Sequence, residues 1–327
     1  MTGTTAAVAS EVDFARYGPY TVKRAAPSDG SFQRPVYPFT GRVTADGAGG
    51  YRAEPGRYHL YVSLACPWAH RSVIVRRLMG LEDVVSLSVV DPIRDGRGWA
   101  FRDGPGYTPD PVNGFTLLRQ AYEATEPGYD GHVSVPVLWD RRTSRIVSNN
   151  FPDITIDLET QFGAWATAGV DLYPAALRPQ IDELNERVYT DVNNGVYRCG
   201  FATSQAAYDA AVARVFAALD DLDQRLATRR YLLGDAITEA DVRLWVTLAR
   251  FDPVYVTHFK TNLRRLVDYP NLWPYARDLY QLPAFGETTN FDHIKRHYFG
   301  THPHLNPSRI VPAGPLLNWR EPAGRES

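Results

Sequence analysis

Cysteine is nearly absent from this chain. Only Cys66 and Cys199 carry thiols among 327 residues, too few for a disulfide framework. No apolar run is long enough to span a bilayer. The opening "MTGTTAAVASEVDFARYG" has neither a basic n-region nor an apolar h-region, so we expect no secretory leader and a reducing, cytoplasmic setting. No G-x-G-x-x-G or P-loop pattern occurs, which argues against a nucleotide cofactor. The formal net charge of -2 leaves no electrostatic footprint for nucleic acid or an anionic membrane. Lysine is scarce beside arginine and alanine, a usage that fits a GC-rich genome.

What remains is ordinary globular composition, 44% apolar and 22% charged, in a chain long enough for two cores. Residues 1–56 are rich in Gly, Pro and polar groups with little periodicity, and read as an extension that wraps. "RYHLYVSL" (57–64) reads as a strand and "PWAHRSVIVRRLMGL" (67–81) as a helix opened by Pro67 and closed near Gly80. "DVVSLSVVD" (83–91) is a second strand. A turn-rich stretch over 91–114 follows, long enough to suggest a functional loop. "FTLLRQAYEAT" (115–125) reads as a helix, "VSVPVLWD" (133–140) and "RIVS" (145–148) as a hairpin, and "PDITIDLETQF" (152–162) as a short helix. The order β-α-β-α-β-β-α is that of a thioredoxin fold.

From residue 170 the strand signals stop. Helix patterns cover 178–197, 204–228 and 238–251. In the last, Ala240, Leu244, Trp245, Leu248 and Phe251 share a face, and Thr238 with Asp241 forms a capping box with Ile237 as a staple. Asp220, Asp221 and Asp223 read as a solvated face. The fold class is therefore α/β plus all-α. We expect an extension over 1–56, a thioredoxin-like domain over 57–165, and a helical domain with an irregular tail over 166–327.

Cys66 stands where the first strand enters the first helix. Unpaired backbone N–H groups and the helix dipole favour an anion there, so the thiol is expected to fall from ~8.5 into the ~3.5–7.5 range. C-P-W-A has the spacing of a redox C-x-x-C without its second cysteine, so a mixed disulfide on Cys66 must be resolved by a separate small thiol. Set against this is a buried structural cysteine; the strand–Cys–Pro–helix context favours the activated one. Cys199, at the end of a helix pattern, reads as buried and inert. A proline within a strand pattern cannot donate to the ladder; with this order of elements, Val135–Pro136 is expected to be cis and to face Cys66.

The segments "RYHLYVSLACPWAHRSVIVRRLMGLEDVVSLSVV", "WAF", "SVPVLWD", "IVSN", "NNGVYRCGFATSQAAYD", "TEADVRLWVTLARFDPVYVTHF", "HIKRHYF" and "NPSRIVPAGP" together resemble the Xi-class glutathione transferases, the glutathionyl-hydroquinone reductases. The resemblance implies a thioredoxin-like domain followed by a helical one, a homodimer, and reduction of a thiol-conjugated hydroquinone to free hydroquinone plus disulfide. It makes Cys66 the nucleophile, matches Tyr197 and Tyr298 to tyrosines that contact the hydroquinone, and matches Trp99 to an aromatic cover of the pocket. Pro67, Trp68, Trp99, Val135, Pro136, Asn150 and Phe151 are the candidate thiol-binding positions.

One part of the pattern departs. The family continues "IVSN" with Glu-Ser, which grip the amino and carboxylate groups of glutathione; here Asn150 and Phe151 stand there. His132 replaces an arginine often found before the "VPVLWD" strand. The co-substrate is thus expected to be a small thiol, with mycothiol, a neutral sugar thiol, fitting better than glutathione. Weak glutathione binding through backbone alone, an omega-type thiol transferase or dehydroascorbate reductase, and a non-catalytic binder of aromatic ligands are the alternatives. His293, His297, His302 and His304 invite a metal, but no acidic or cysteine ligand lies at metal spacing, so none is expected.

Overall fold

The computed structural model describes residues 7–22 and 27–325. The chain divides into two compact units, each assembled from separated segments. The first holds the described residues before 23, Pro35–Val170 and Asp292–Val311. The second holds the described residues up to Arg34, then Asp171–Phe291, and the chain from Pro312 onward.

The first unit opens with a short turn of helix, α1 (Phe14–Tyr17), and a two-stranded pair, β1 (Arg42–Thr44) and β2 (Gly50–Arg52). Sequence periodicity shows none of these. They are held by polar contacts instead: Asp157 accepts from the Arg42 guanidinium at 2.6 Å and from the Val43 N–H at 2.8 Å. Then come β3 (Tyr58–Val62), α2 (Pro67–Leu78), β4 (Ser86–Val89), α3 (Arg119–Thr125), β5 (Val137–Asp140), β6 (Arg145–Ser148) and α4 (Phe151–Gln161). The main sheet runs β4-β3-β5-β6, with β3 parallel to β4 and the other pairs antiparallel. β3 is buried along its whole length, as a central strand covered on both faces must be. Its His59 is buried, with its two ring nitrogens bonded to the hydroxyls of Ser86 and Ser88 at 2.7 and 2.9 Å.

α2 begins at Pro67, whose fixed φ suits a first helical residue. It ends before Gly80, where φ is +64° and an added Cβ would lie 2.0 Å from Thr167 Oγ1. Several elements, β3 and α2 among them, are shorter than the sequence predicts. Residues 83–85 and 133–136 lie outside the strands, and 115–118 form a turn and bridge ahead of α3.

The second unit contains α5 (Arg178–Arg187), α6 (Gly195–Gly200), α7 (Gln205–Leu226), α8 (Glu239–Arg250), α9 (Val256–His258), α10 (Leu272–Tyr280) and α11 (Pro283–Gly286), with α12 (Phe291–Thr301) starting at its edge. The helix expected over 178–197 is interrupted by a π-helical segment, Val188–Asn193. There Asn193 donates its side-chain amide to the Arg243 carbonyl and to Thr247 Oγ1 on α8. A π turn shifts the facing of every later residue, and Tyr197 follows it.

In α8 the buried Asp241 accepts from the Thr238 N–H, as the capping box predicts, and also from the Thr238 hydroxyl, the Leu232 N–H and the Tyr275 hydroxyl. Burial nonetheless raises its pKa. Asp223 departs from the solvated-face reading. It is buried and accepts from the Asn271 and Leu272 N–H groups, capping α10, whereas Asp220 pairs with Arg264 and Asp221 with Arg187 in the open. Among the described residues no helix is long and apolar enough to cross a membrane.

Candidate active site

Cys66 occupies the N-cap of α2 in extended conformation, with Pro67 as the first helical residue. Its own N–H donates to Ser63 O at 3.1 Å, and its carbonyl accepts from His70 N–H at 3.0 Å. The side chain is half-buried, and Sγ lies 3.5 Å from the Val135 carbonyl oxygen. The Val135–Pro136 peptide bond is cis, as the order of elements predicts. The Cys66 thiol and the proline segment thus meet at the N-terminal end of a 12-residue helix.

Two residues that sequence reasoning passed over, Tyr122 and Asn149, hold that segment. The Tyr122 hydroxyl donates to Ser134 O at 2.8 Å and accepts from Ser134 N–H at 3.1 Å. Asn149 donates to the same hydroxyl and to Ser134 Oγ. Burial pushes the Tyr122 phenol up, so it stays protonated and able to donate. "IVSN" was the available signal for Asn149; nothing local marks Tyr122.

Trp68 and Phe151 pack against each other. Their rings are 4.5 Å apart, Tyr37 meets Phe151 edge-on at 5.4 Å, and the Arg71 guanidinium lies 4.9 Å from one ring and 5.2 Å from the other. Phe151, the first residue of α4, is only 3% exposed. Its ring is core-packed, so position 151 itself presents no hydroxyl, and the Asn150 N–H at that helix start donates to Ser148 Oγ at 3.0 Å. Asn150 caps α4 from extended backbone, and its amide donates to Asp153 at 2.7 Å. Asp153 is also 3.4 Å from Arg42.

Trp99 sits in the long loop over 91–114. Three aspartates order that loop. Asp91 accepts from Ile93 N–H and Arg102; Asp95 accepts from the Asp13 and Arg97 N–H groups and the Arg97 guanidinium; Asp110 accepts from Val112, Asn113 and Phe115 N–H groups and the Tyr61 hydroxyl. Burial opposes the charge on Asp95, but the Arg97 and backbone bonds outweigh it and lower its pKa. Residues 9–20 lie along the loop, with Ala9 N–H bonded to Phe101 O and Gly96 N–H to Gly18 O. A Cβ at Gly96 would come within 2.0 Å of Tyr17 O, so this close approach requires glycine.

A line of contacts within the first unit leads from the proline segment to Tyr298. Tyr20 bonds His132 Nδ1 at 3.0 Å and Val133 N–H at 3.3 Å. Arg94 lies over the rings of Tyr20 and Trp99 at 4.6 and 4.3 Å. Trp99 stacks on His297 at 5.0 Å, and His297 meets Tyr298 edge-on at 5.5 Å. Tyr298 is buried and also meets His302. Among the described residues no group of three or more His, Cys, Asp or Glu could hold a metal ion.

Tyr197 belongs to the second unit. It is buried, with Phe259 at 5.2 Å, Phe32 at 6.4 Å and the Arg34 guanidinium 4.6 Å over its ring. Cys199, two residues on, is buried, and burial pushes its thiol up to about 12. It is inert as a nucleophile near neutral pH.

Comparisons with known proteins agree with this architecture. The glutathione S-transferase N-terminal domain family matches residues 65–161, and the glutathione S-transferase C-terminal domain family matches 205–278. The chain is 52% identical over 304 residues to glutathionyl-hydroquinone reductase YqjG of Escherichia coli, covering 91% of this chain and 93% of the relative. The crystal structure of the Xi glutathione S-transferase from Phanerochaete chrysosporium superposes with a TM-score of 0.87 at 48% identity, covering 92% of this chain and 97% of that one. The glutathione-bound structure of YqjG gives a TM-score of 0.85 at 52% identity, with 91% and 98% covered. A thioredoxin-like unit with a cysteine at its first helix, a helical unit and these relatives lead to one assignment: the chain belongs to the Xi class of the glutathione transferases, the glutathionyl-hydroquinone reductase family.

Proposed function

We propose that this protein reduces thiol conjugates of hydroquinones through a mixed disulfide on Cys66. The observation that carries the reading is the Cys66 thiol at the start of α2, 3.5 Å from the Val135 carbonyl. That carbonyl can accept an amide N–H from the cysteinyl part of a bound thiol. The Cys66 thiolate attacks the sulfur of the conjugate and forms an S–S bond. The carbon–sulfur pair stays on the ring carbon, which takes a proton and leaves as free hydroquinone. The two sulfurs are oxidised to a disulfide as the ring carbon is reduced. A second thiolate attacks the small-molecule sulfur of the mixed disulfide, releasing a soluble disulfide and the Cys66 thiolate. Within the same unit as Cys66, Tyr298 is the phenol that hydrogen-bonds a quinol oxygen and assists the proton transfer.

The thiol lacks a γ-glutamyl zwitterion, with mycothiol as the candidate. Asn150 offers no carboxylate for an ammonium, and the Phe151 ring is buried against Trp68 and Tyr37. Glutathione is the second candidate, favoured by the glutathione-bound structure of the E. coli relative. The test is turnover of menadione or benzohydroquinone conjugates, with each thiol as both conjugated and reducing partner and Cys66→Ala as control. Cys66-dependent turnover supports the reductase reading; turnover that survives Cys66→Ala, or none with either thiol, sinks it. A preference for glutathione overturns the mycothiol assignment alone.

A further inference from the structure

We infer that His297 is a positioning residue that fixes the plane of Trp99 for the reductase site. The inference rests on the reading that Trp99 lines the thiol and quinol pocket. His297 is buried on α12, and its Nδ1 lies 2.7 Å from the Pro92 carbonyl oxygen. A carbonyl only accepts, so Nδ1 carries the proton and the ring orientation is set by the backbone of the loop it supports. Pro92 is the second residue of that loop, seven positions before Trp99. The imidazole is therefore anchored to the same loop whose indole it stacks on, at 5.0 Å and 19° between planes.

The loop has a second grip on the indole. Arg94 lies 4.3 Å from the Trp99 ring and 4.6 Å from Tyr20, whose hydroxyl bonds the Val133 N–H beside the proline segment. Trp99 is 4% exposed, so a small rotation of its plane changes what little edge it presents. Its own backbone is fixed, since Trp99 O accepts from Leu118 N–H at 2.9 Å. That leaves the side-chain torsions as the freedom that His297 removes. A role for the imidazole in proton transfer is not needed for this; it acts through the indole.

Three substitutions separate the ring from the hydrogen bond. His297→Phe keeps a flat ring against Trp99. His297→Asn keeps a donor near the Nδ1 position and removes the ring. His297→Ala removes both. Two readouts are taken on the full chain: KM and kcat for the conjugate, and the emission of Trp99, obtained as the difference between each protein and its Trp99→Phe counterpart. We expect His297→Ala and His297→Asn to raise KM about tenfold with kcat changed far less, and to shift Trp99 emission to the red. His297→Phe, which keeps the ring but loses its hydrogen bond to the Pro92 carbonyl, should fall between the parent and His297→Ala in both readouts. In the Trp99→Phe background the effect of His297→Ala on KM should largely vanish, because both act through one group. An unchanged Trp99 emission, or a KM effect that persists undiminished without Trp99, overturns the inference. If Trp99→Phe alone leaves KM unchanged, the placement of Trp99 in the pocket fails, while the emission shift still decides whether His297 holds the indole.

Discussion

Asn150→Glu is the most informative single change at the proposed thiol site. The position caps α4 in extended backbone, and its side chain already points along the first turn, donating to Asp153 at 2.7 Å. A glutamate there loses that bond and sets a second carboxylate beside Asp153. At about 4–5 Å and a surface dielectric the repulsion is about 1–4 kcal/mol, partly relieved by Arg42, 3.4 Å from Asp153. The ammonium of a γ-glutamyl thiol would neutralise it, and a charge-assisted hydrogen bond contributes about 1.5–3 kcal/mol. The expected outcome is a KM for a glutathionyl-hydroquinone about 10- to 150-fold lower than in the parent, with no gain for the mycothiol conjugate. Phe151 is left in place because removing a buried phenylalanine costs about 3–5 kcal/mol of stability. Steady-state kinetics on both conjugates is the assay. A KM for the glutathionyl substrate within twofold of the parent, in a folded protein, would refute the assignment of this position to the amino group.

Two further outcomes concern the scaffold beneath the site. His59 is buried between Ser86 and Ser88, and burial depresses its pKa from 6.5 to about 3. The unfolded chain therefore binds a proton below pH 6.5 that the folded chain refuses until about pH 3. Stability is complete above pH 6.5 and falls as pH drops, by about 1.4 kcal/mol per unit and up to about 5 kcal/mol in total. Urea midpoints of the parent and His59→Gln, followed from pH 7.5 to 4, should converge on acidification; parallel curves contradict it. Asp110→Ala strips the acceptor from three backbone N–H groups and the buried Tyr61 hydroxyl. It should cost about 3 kcal/mol or more, read as a lowered denaturant midpoint, with Asp110→Asn recovering part.

The sheet and its helices were legible because their apolar periodicity and punctuation coincide. Pro67 and Gly80 bracket α2, and β5 and β6 differ from the sequence reading only by the residues ahead of Val137. The cis Val135–Pro136 bond was legible from topology, since a proline in that place of that order has one structural role. The misses share a cause: contacts distant in sequence leave no local period. Asp223 looks like one charge among several on a helix face, and only the arrival of residues 271–272 makes it a buried cap. The π segment over Val188–Asn193 is fixed by Asn193 reaching α8, some 50 residues away. The strap over residues 9–20 has no apolar repeat because backbone bonds and arginine hold it. Tyr122 and Asn149 support the site through one hydroxyl, a junction that no motif announces.

An activated thiol at Cys66 is tested most directly by the pH dependence of its alkylation. Iodoacetamide is applied to the native parent and to Cys66→Ala, with the labelled residue identified by mass. Cys66 should label with a midpoint below about pH 7.5, while Cys199, pushed up to about 12 by burial, should label only after denaturation. A Cys66 that reacts only above about pH 8, like an ordinary thiol, would contradict the account.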